Sequence, residues 1–308
     1  MTVTTFSELE LDENLLEALQ DKGFTRPTAI QAAAIPPALD GRDILGSAPT
    51  GTGKTAAYLL PALQHLLDFP RKKSGPPRIL ILTPTRELAM QVADHARELA
   101  AHTHLDIATI TGGVAYMNHA EVFSENQDIV VATTGRLLQY IKEENFDCRA
   151  VETLILDEAD RMLDMGFSDD IMQIVKYLPK ERQTIMFSAT MPAKIQQLAK
   201  TILNNPVEIK LAVSKPAEKI IQTAYICYER QKLGIIQSLF QDQTPERVII
   251  FASSKLKVKE VTQAFKRMKL NVGEMHSDLE QSQREQIMRE FKSGRINILI
   301  ATDIVREE

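Results

Sequence analysis

Short apolar runs alternate with stretches of helical periodicity along this chain, a pattern that predicts a parallel β-sheet wound with helices. Six of these runs end on small polar clusters rich in Gly, Thr, Ser or Asp; they begin near residues 44, 79, 107, 129, 154 and 185. Ligands of open α/β sheets bind at the carboxyl ends of the strands. We therefore expect the six clusters to meet along one edge of one sheet, which would be the functional surface.

The length and a break in the pattern predict two domains. A chain of 308 residues exceeds the usual size of one hydrophobic core. The alternation stops near Asn204-Asn205-Pro206 and resumes with shorter apolar runs that begin at Val248, Val272 and Ile298. The sequence thus predicts a first domain over residues 1–206, a linker over 207–218 and a smaller domain of similar kind over 219–308.

Composition excludes several classes of protein but does not identify a binding partner. The net charge is −5, so nucleic-acid binding has to be argued from local sites. Cys148 and Cys227 lie far apart and lack metal-ligand spacing, which disfavours a disulfide framework or a zinc site. The start of the chain lacks the pattern of a secretory signal, and no apolar run is long enough to span a membrane. We expect a soluble cytoplasmic protein.

The segment after the first apolar run has the pattern of a phosphate-binding loop. It reads APTGTGKT and opens a helical stretch, with alanine in place of the first glycine of the motif. Backbone N–H groups of such a loop surround phosphate oxygens, and the following helix N-terminus adds positive potential. We expect Lys54 to reach the β and γ phosphates of ATP and Thr55 to offer its hydroxyl to Mg²⁺. The predicted nucleotide-binding residues are Ala48, Pro49, Thr50, Gly51, Thr52, Gly53, Lys54 and Thr55. A glycine-rich turn without a ligand is the alternative.

Acidic residues follow the apolar run Leu154–Leu156 and complete a candidate catalytic set. Asp157 is expected to hold Mg²⁺, through water because this ion dehydrates reluctantly. Glu158 is then placed to orient and deprotonate an attacking water, so the predicted catalytic residues are Lys54, Asp157 and Glu158. Taken alone, the acidic cluster would indicate a solvated helix start; a phosphate loop in the same sheet favours the metal site.

The Ser188-Ala189-Thr190 segment is a weaker signal. Ser and Thr after a strand usually cap the next helix, and Met191-Pro192 suits a helix start. The residue types alone therefore favour helix capping.

The ordered set of motifs resembles one family. Gly23-Phe24, Pro27-Thr28 and Ile30-Gln31, followed by APTGTGKT, PTREL, DEAD and SAT, resemble the DEAD-box RNA helicases of superfamily two. The resemblance covers about residues 6–303 and implies two tandem RecA-like α/β domains with parallel sheets, the second incomplete at its C-terminus. The part up to about residue 167 is similar to a bacterial ribosome-assembly member. The rest is similar to another bacterial branch, so a fusion or a partial chain is one hypothesis.

The resemblance also implies roles for matching residues. Phe24 would pack on the adenine, Gln31 would read its edge, and Asp303 would meet the ribose. Asp160, Ser188 and Thr190 would link the ATP state to domain closure. The residues expected along RNA are Thr85, Arg86, Gly112, Gly113, Thr133, Arg136, Gln281, Arg284 and Thr302. Contacts to phosphate and 2′-OH groups imply RNA binding that tolerates many sequences.

Departures from the family limit the expected activity. Thr134 stands where proline is usual, and Ser277 where glycine is usual. The family continues beyond this region into a motif with arginine fingers, whereas the chain ends at Glu308. We therefore expect ATP binding with weak hydrolysis and little unwinding, since such arginines are worth about 10³–10⁵ in rate.

Three functions stay open. The first is an ATP-dependent RNA helicase that unwinds short duplexes or remodels ribosomal precursor particles. The second is an ATP-gated RNA clamp without turnover. The third is another P-loop ATPase that acts on DNA.

Overall fold

A computed structural model of the chain describes residues 3–71, 75–113, 127–143, 146–211, 221, 223–241 and 246–302. The chain divides into two compact units, Met1–Lys215 and Pro216–Glu308. No helix in these described ranges is both long and apolar enough to cross a membrane.

Within the described residues of the first unit, seven strands form one parallel sheet. They are β1 (Ile44–Ser47), β2 (Ile79–Thr83), β3 (Ile107–Ile110), β4 (Ile129–Thr133), β5 (Thr153–Leu156), β6 (Gln183–Ser188) and β7 (Val207–Lys210). Their order across the sheet is β3-β4-β2-β5-β6-β1-β7. The predicted parallel α/β sheet is confirmed.

Helices cover both faces of this sheet. A 3₁₀ turn over Phe6–Leu9 precedes α1 (Glu13–Asp21), α2 (Ala29–Leu39), α3 (Lys54–Asp68), α4 (Arg86–Leu99), α5 (Thr134–Glu143), α6 (Ala159–Asp164), α7 (Ser168–Tyr177) and α8 (Ala193–Ile202). Ile79 and Ile81 of β2 lie in the apolar layer that contains α3 and α4. Leu80 and Leu82 lie in the opposite layer with α5, α7 and α8. Burial on both faces explains why the strands appear in the sequence as continuous apolar runs.

The strand β7 corrects part of the predicted linker. Val207–Lys210 pairs with β1 in parallel, so assigning these four residues to a linker was wrong. Ile209 is buried whereas Glu208 and Lys210 are exposed, which is the alternation of a half-buried strand at a sheet edge. One buried side chain in four residues gives little apolar signal. Residues 212–218 of the predicted linker lie outside the described part of the chain.

The second unit carries a smaller parallel sheet. Its described strands are β8 (Val248–Ala252), β9 (Val272–Met275) and β10 (Ile298–Thr302), in the order β8-β10-β9. The helices are α9 (Glu229–Leu239), α10 (Lys255–Arg267) and α11 (Gln281–Lys292). Val258 and Phe265 of α10 pack on one face of the sheet, and Phe291 of α11 packs on the other. This arrangement agrees with the prediction of a second, smaller α/β sheet.

Candidate active site

The six polar clusters follow six adjacent strands of the first sheet, as the sequence predicts. The sheet order separates them into two groups. The phosphate-loop, DEAD and SAT motifs follow the adjoining strands β1, β5 and β6. The PTREL segment follows β2, the TGG segment follows β3 and the TTGR segment follows β4, and these three strands adjoin in the order β3-β4-β2. Because β2 lies next to β5, the two groups meet at the centre of the sheet.

The phosphate loop has the predicted strand–loop–helix geometry. Gly51 and Gly53 have φ of 81° and 93°, in the left-handed region that glycine adopts without a steric cost. A Cβ at Gly51 would meet nothing within 4 Å, so the backbone there faces open space. The Nζ of Lys54 donates a hydrogen bond of 3.0 Å to the carbonyl oxygen of Ala48. The ammonium group thus lies against the loop that should hold the phosphates.

Asp157 is a buried carboxylate directly after β5. Its Oδ2 accepts a hydrogen bond of 2.8 Å from the hydroxyl of Tyr58, and its Oδ1 accepts one of 2.9 Å from the N–H of Glu158. Burial raises the pKa of Asp157, and the hydrogen bond from Tyr58 and the charge of Lys54 oppose that shift only in part. Because Tyr58 lies one turn after Lys54 on α3, its hydrogen bond places the start of that helix beside Asp157.

Glu158 has a strained backbone beside this carboxylate. Its φ of 51° and ψ of 50° are left-handed, a conformation that costs a non-glycine residue about 1–3 kcal/mol. The carboxylate of Glu158 accepts a hydrogen bond of 3.1 Å from Nη1 of Arg161, one turn further along α6. Such strain concentrates at functional sites. The ion pair with Arg161 was not predicted from the sequence.

Asp160 binds the segment that follows β6. Its N–H donates to Oγ of Ser188 at 3.2 Å, and that hydroxyl donates to the carbonyl oxygen of Thr190 at 2.7 Å. Burial tends to raise the pKa of Asp160, but its hydrogen bonds with Thr190 and Ser188 outweigh this effect and lower the pKa.

Helix capping by Ser188 and Thr190 was therefore a wrong prediction. The next helix, α8, has Pro192 at its N-cap and no side-chain cap. Ser188 is the last residue of β6, and the neighbouring strand β5 leads into α6, whose second residue is Asp160. The hydroxyl groups accordingly bond across the two strand ends.

Gln31 lies against the phosphate loop. Thr28 and Gln31 form a capping box at the start of α2, in which Oε1 of Gln31 accepts the N–H of Thr28 at 2.9 Å. The Nε2 of Gln31 donates to the carbonyl oxygen of Gly53 at 3.1 Å. Phe24, predicted to pack on adenine, is half-buried with its ring edge-on to His95 at 6.3 Å. Adenine contacts by Gln31 and Phe24 stay predictions, while the contact between Gln31 and Gly53 is a feature that the sequence analysis missed.

The RNA-binding residues predicted in the first unit are close together at the end of the sheet. The N–H of Gly112 donates to Oγ1 of Thr133 at 3.2 Å, joining the ends of β3 and β4. Thr85 caps α4, whose first residue is Arg86. A Cβ on Gly113 would lie 3.7 Å from Nη1 of Arg86. Residues of three predicted segments thus form one surface made of backbone amides, hydroxyls and a guanidinium group.

Two helical residues border this surface. Arg136 places its guanidinium over the ring of Tyr140, 5.5 Å from the centroid. Thr134, the departure from the family's usual proline, is buried, and its hydroxyl contacts the sulfur of Met162 at 3.5 Å. This contact joins α5 to α6, the helix after the DEAD motif.

The RNA and ribose residues predicted in the second unit are only partly described. Gln281 is the first residue of α11, and Nη2 of Arg284 donates to the carbonyl oxygen of Ser277 at 3.1 Å. Thr302 is the half-buried last residue of β10. Asp303, expected at the ribose, lies outside the described residues.

Tyr58 is the other residue that the sequence analysis missed in the site. It stands among the apolar residues of α3 and therefore looks like a core position in the sequence. A tyrosine one turn after the phosphate-loop lysine was the only available signal. Its hydroxyl group needs a partner when buried, and that partner is Asp157.

Comparison with known proteins gives consistent results for both units. The DEAD/DEAH box helicase family matches residues 28–198, and the helicase conserved C-terminal domain matches residues 231–307. ATP-dependent RNA helicase SrmB of Escherichia coli (strain K12) is 65% identical over 307 residues, which are 99% of this chain and 69% of that protein. SrmB of Haemophilus influenzae is 50% identical, over 99% of this chain and 70% of its own length. One relative matches both units, so a fusion is not needed to account for the chain.

Solved structures agree with these relatives. The structure of S. cerevisiae Dbp5 bound to RNA and ADP BeF3 has a TM-score of 0.82 and 28% identity, and the match covers 98% of this chain and 76% of that one. A DEAD box protein from Methanococcus jannaschii has a TM-score of 0.63 and 37% identity, over 98% of this chain and 80% of its own. The predicted fold of two RecA-like parallel-sheet domains in tandem is confirmed by these matches. The chain therefore belongs to the DEAD-box family of ATP-dependent RNA helicases, which are ATP-hydrolysing enzymes.

Proposed function

We propose that the chain binds ATP with Mg²⁺ at the loop Ala48–Thr55 and couples ATP binding and hydrolysis to local unwinding of RNA or remodelling of RNA–protein particles. The observation that carries this proposal is the hydrogen bond to Asp157 from Tyr58, one turn after Lys54 on α3, which brings the helix after the phosphate loop beside the carboxylate after β5. Lys54 would hold the β and γ phosphates. Glu158 would orient the attacking water and accept its proton.

The residues present fit a magnesium site. Among the described residues, no group of three or more His, Cys, Asp or Glu side chains is arranged to hold a metal ion by itself. Mg²⁺ is usually held by one or two carboxylates together with substrate phosphates and water. Asp157 and Thr55 would supply the protein's share of such a site. When bound, the ion neutralises charge on the phosphates.

The sheet order supports coupling between ATP and RNA. Strand β2 lies between β4 and β5, so the segment that carries Thr85 and Arg86 borders both groups of motifs. The hydrogen bonds of Asp160 with Ser188 and Thr190 join two strand ends in the ATP group. These contacts support the proposed role of the three residues in transmitting the ATP state. We propose RNA contacts through Thr85, Arg86, Gly112, Gly113, Thr133, Arg136, Gln281, Arg284 and Thr302.

The proposed substrate is RNA in ribosomal precursor particles, in the cytoplasm. The support for the substrate is the resemblance of residues up to about 167 to a ribosome-assembly member. The support for the compartment is that Cys148 and Cys227 are both free.

Phosphate release and RNA binding test this function. The 308-residue polypeptide is assayed with ATP and Mg²⁺, alone, with a single-stranded RNA, and with a DNA of the same sequence. RNA-stimulated release that Glu158→Gln abolishes, while ATP binding persists, supports the helicase. ATP-dependent RNA binding without release would instead identify a clamp, and the predicted weak hydrolysis is measured in the same assay. Equal stimulation by DNA, with unchanged nucleotide selectivity in Gln31→Ala, would favour a different P-loop ATPase.

A further inference from the structure

Tyr58 occupies a position that links the phosphate loop to the DEAD motif. It lies on α3 one turn after Lys54 and is fully buried, with its ring 5.9 Å from that of Phe187. Its hydroxyl donates to Oδ2 of Asp157 at 2.8 Å. A phenylalanine would fill the same space without the oxygen atom. The hydroxyl group therefore contributes something other than packing.

The hydrogen bonds of Asp157 leave room for a further partner. One oxygen accepts from the side chain of Tyr58 and the other from the backbone of Glu158. Each carboxylate oxygen has two lone pairs. Both oxygens thus retain one lone pair for a metal-bound water. The two donors fix the rotation of the carboxylate while leaving that capacity free.

The hydroxyl group of Tyr58 stays a donor in this environment. Its oxygen atom lies 2.8 Å from Oδ2 of Asp157, and because a carboxylate can only accept that hydrogen bond, the hydroxyl group donates it. Thr55 lies three residues earlier, on the same face of α3. Tyr58 thus bonds to one of the residues proposed to hold Mg²⁺ and lies one turn after the other.

We propose that Tyr58 is a positioning residue for the Mg²⁺ site, whose hydroxyl group holds the Asp157 carboxylate ready to receive the ion together with the nucleotide. This inference rests on the proposed function. A buried carboxylate that lost this donor would be free to rotate, so the ion would bind more weakly. The phosphate loop itself does not depend on the hydroxyl group.

The test is a Mg²⁺ titration of fluorescent ADP binding, followed by anisotropy, for the natural chain and Tyr58→Phe. We expect the Mg²⁺ midpoint to rise about three- to tenfold, as for loss of one hydrogen bond of ordinary strength. Affinity in EDTA should stay within about twofold, because the loop is intact. At saturating Mg²⁺, the rate of hydrolysis should return close to that of the natural chain, which distinguishes positioning from a direct chemical role.

A matched control is Tyr140→Phe, which removes a hydroxyl group from another buried tyrosine of the same unit. It should leave the Mg²⁺ midpoint unchanged. An unchanged midpoint in Tyr58→Phe, or an equal loss of affinity in EDTA, would overturn the inference. If binding to the natural chain showed no Mg²⁺ dependence, the proposed metal site would fail instead. Melting curves check the fold of each variant, and excess nucleotide stabilises a weakened one through binding.

Discussion

The hydroxyl group and the backbone N–H of Thr190 both donate to one oxygen of Asp160, at 2.8 and 2.9 Å. The two residues follow adjacent strands, β6 and β5. A shift of either strand end would therefore change the geometry of the other. The contact lies wholly within the first unit, so it exists without a contribution from the second.

Thr190→Ala tests this contact through the pH dependence of stability. The hydrogen bonds lower the folded-state pKa of Asp160, so they stabilise the fold above the ordinary pKa of aspartate, about 4, and this contribution is lost as the pH falls through the folded-state pKa. The variant should lose about 1 kcal/mol at pH 7, with a smaller difference below pH 4. Melting temperatures between pH 3 and 7 give the comparison. Thr201→Ala, at an exposed helical position, is the control. A difference that stays constant with pH would contradict the assignment.

Gly53→Ala should separate the phosphate loop from Gln31. The φ of Gly53 is 93°, and a Cβ there would lie 2.6 Å from Nε2 of Gln31 and 3.1 Å from Oγ1 of Thr28. We expect a stability loss of about 1–3 kcal/mol. ATP affinity should fall more than tenfold, because the phosphate loop shifts and its hydrogen bond with Gln31 is displaced. Calorimetry of unfolding and of ATP binding measures the two effects.

The control for Gly53→Ala is Gly234→Ala. Gly234 lies in α9, has an ordinary φ and has nothing within 4 Å of an added Cβ. Its replacement should leave ATP affinity unchanged and slightly raise stability. Normal ATP binding by Gly53→Ala would show that the contact with Gln31 is dispensable.

The sequence predicts those parts of the site whose functional groups lie in consecutive residues of the chain. The phosphate loop and the carboxylate of Asp157 belong to this class, because each follows an apolar strand directly. The bond between Tyr58 and Asp157 joins residues 99 positions apart, and neither residue indicates the other. Ser188 and Thr190 match a local capping pattern, yet their partner Asp160 is 28 and 30 residues away. Strand adjacency decides such contacts, and sequence periodicity does not reveal it.

Glu152→Gln tests a network at the opposite end of the sheet. Glu152 accepts two hydrogen bonds from Arg78, at 2.8 and 2.7 Å, and contacts His65 at 2.6 Å. Burial tends to raise the pKa of Glu152, but Arg78 and His65 lower it overall. The stabilisation is therefore present above the ordinary pKa of glutamate and is lost as the pH falls through the lowered value. We expect a loss of about 1–2 kcal/mol at pH 7, since Glu152 is partly exposed.

Urea unfolding at pH 7 and at pH 3 measures this loss, which should shrink at the lower pH. The matched control is Asp94→Asn, which breaks an ion pair with Arg97 in which both side chains are exposed. This variant should change stability by less than about 0.5 kcal/mol. ATP hydrolysis should be unchanged in both variants, because neither residue lies at the carboxyl end of the sheet. A fall in activity without a fall in stability would mean that the network has a functional role.

Phe251→Lys tests whether the second sheet self-associates through its apolar edge. Phe251 and Ile249 lie on β8, an edge strand among the described residues, and are 73% and 51% exposed. Exposed apolar edge strands template pairing with other chains, and an added charge prevents it. We expect the natural chain to associate as its concentration rises, and Phe251→Lys to do so several-fold less. Light scattering over a concentration series measures this. Tyr177→Lys, at an exposed aromatic residue of the first unit, should leave association unchanged; equal reduction by both variants would point to net charge instead of the edge.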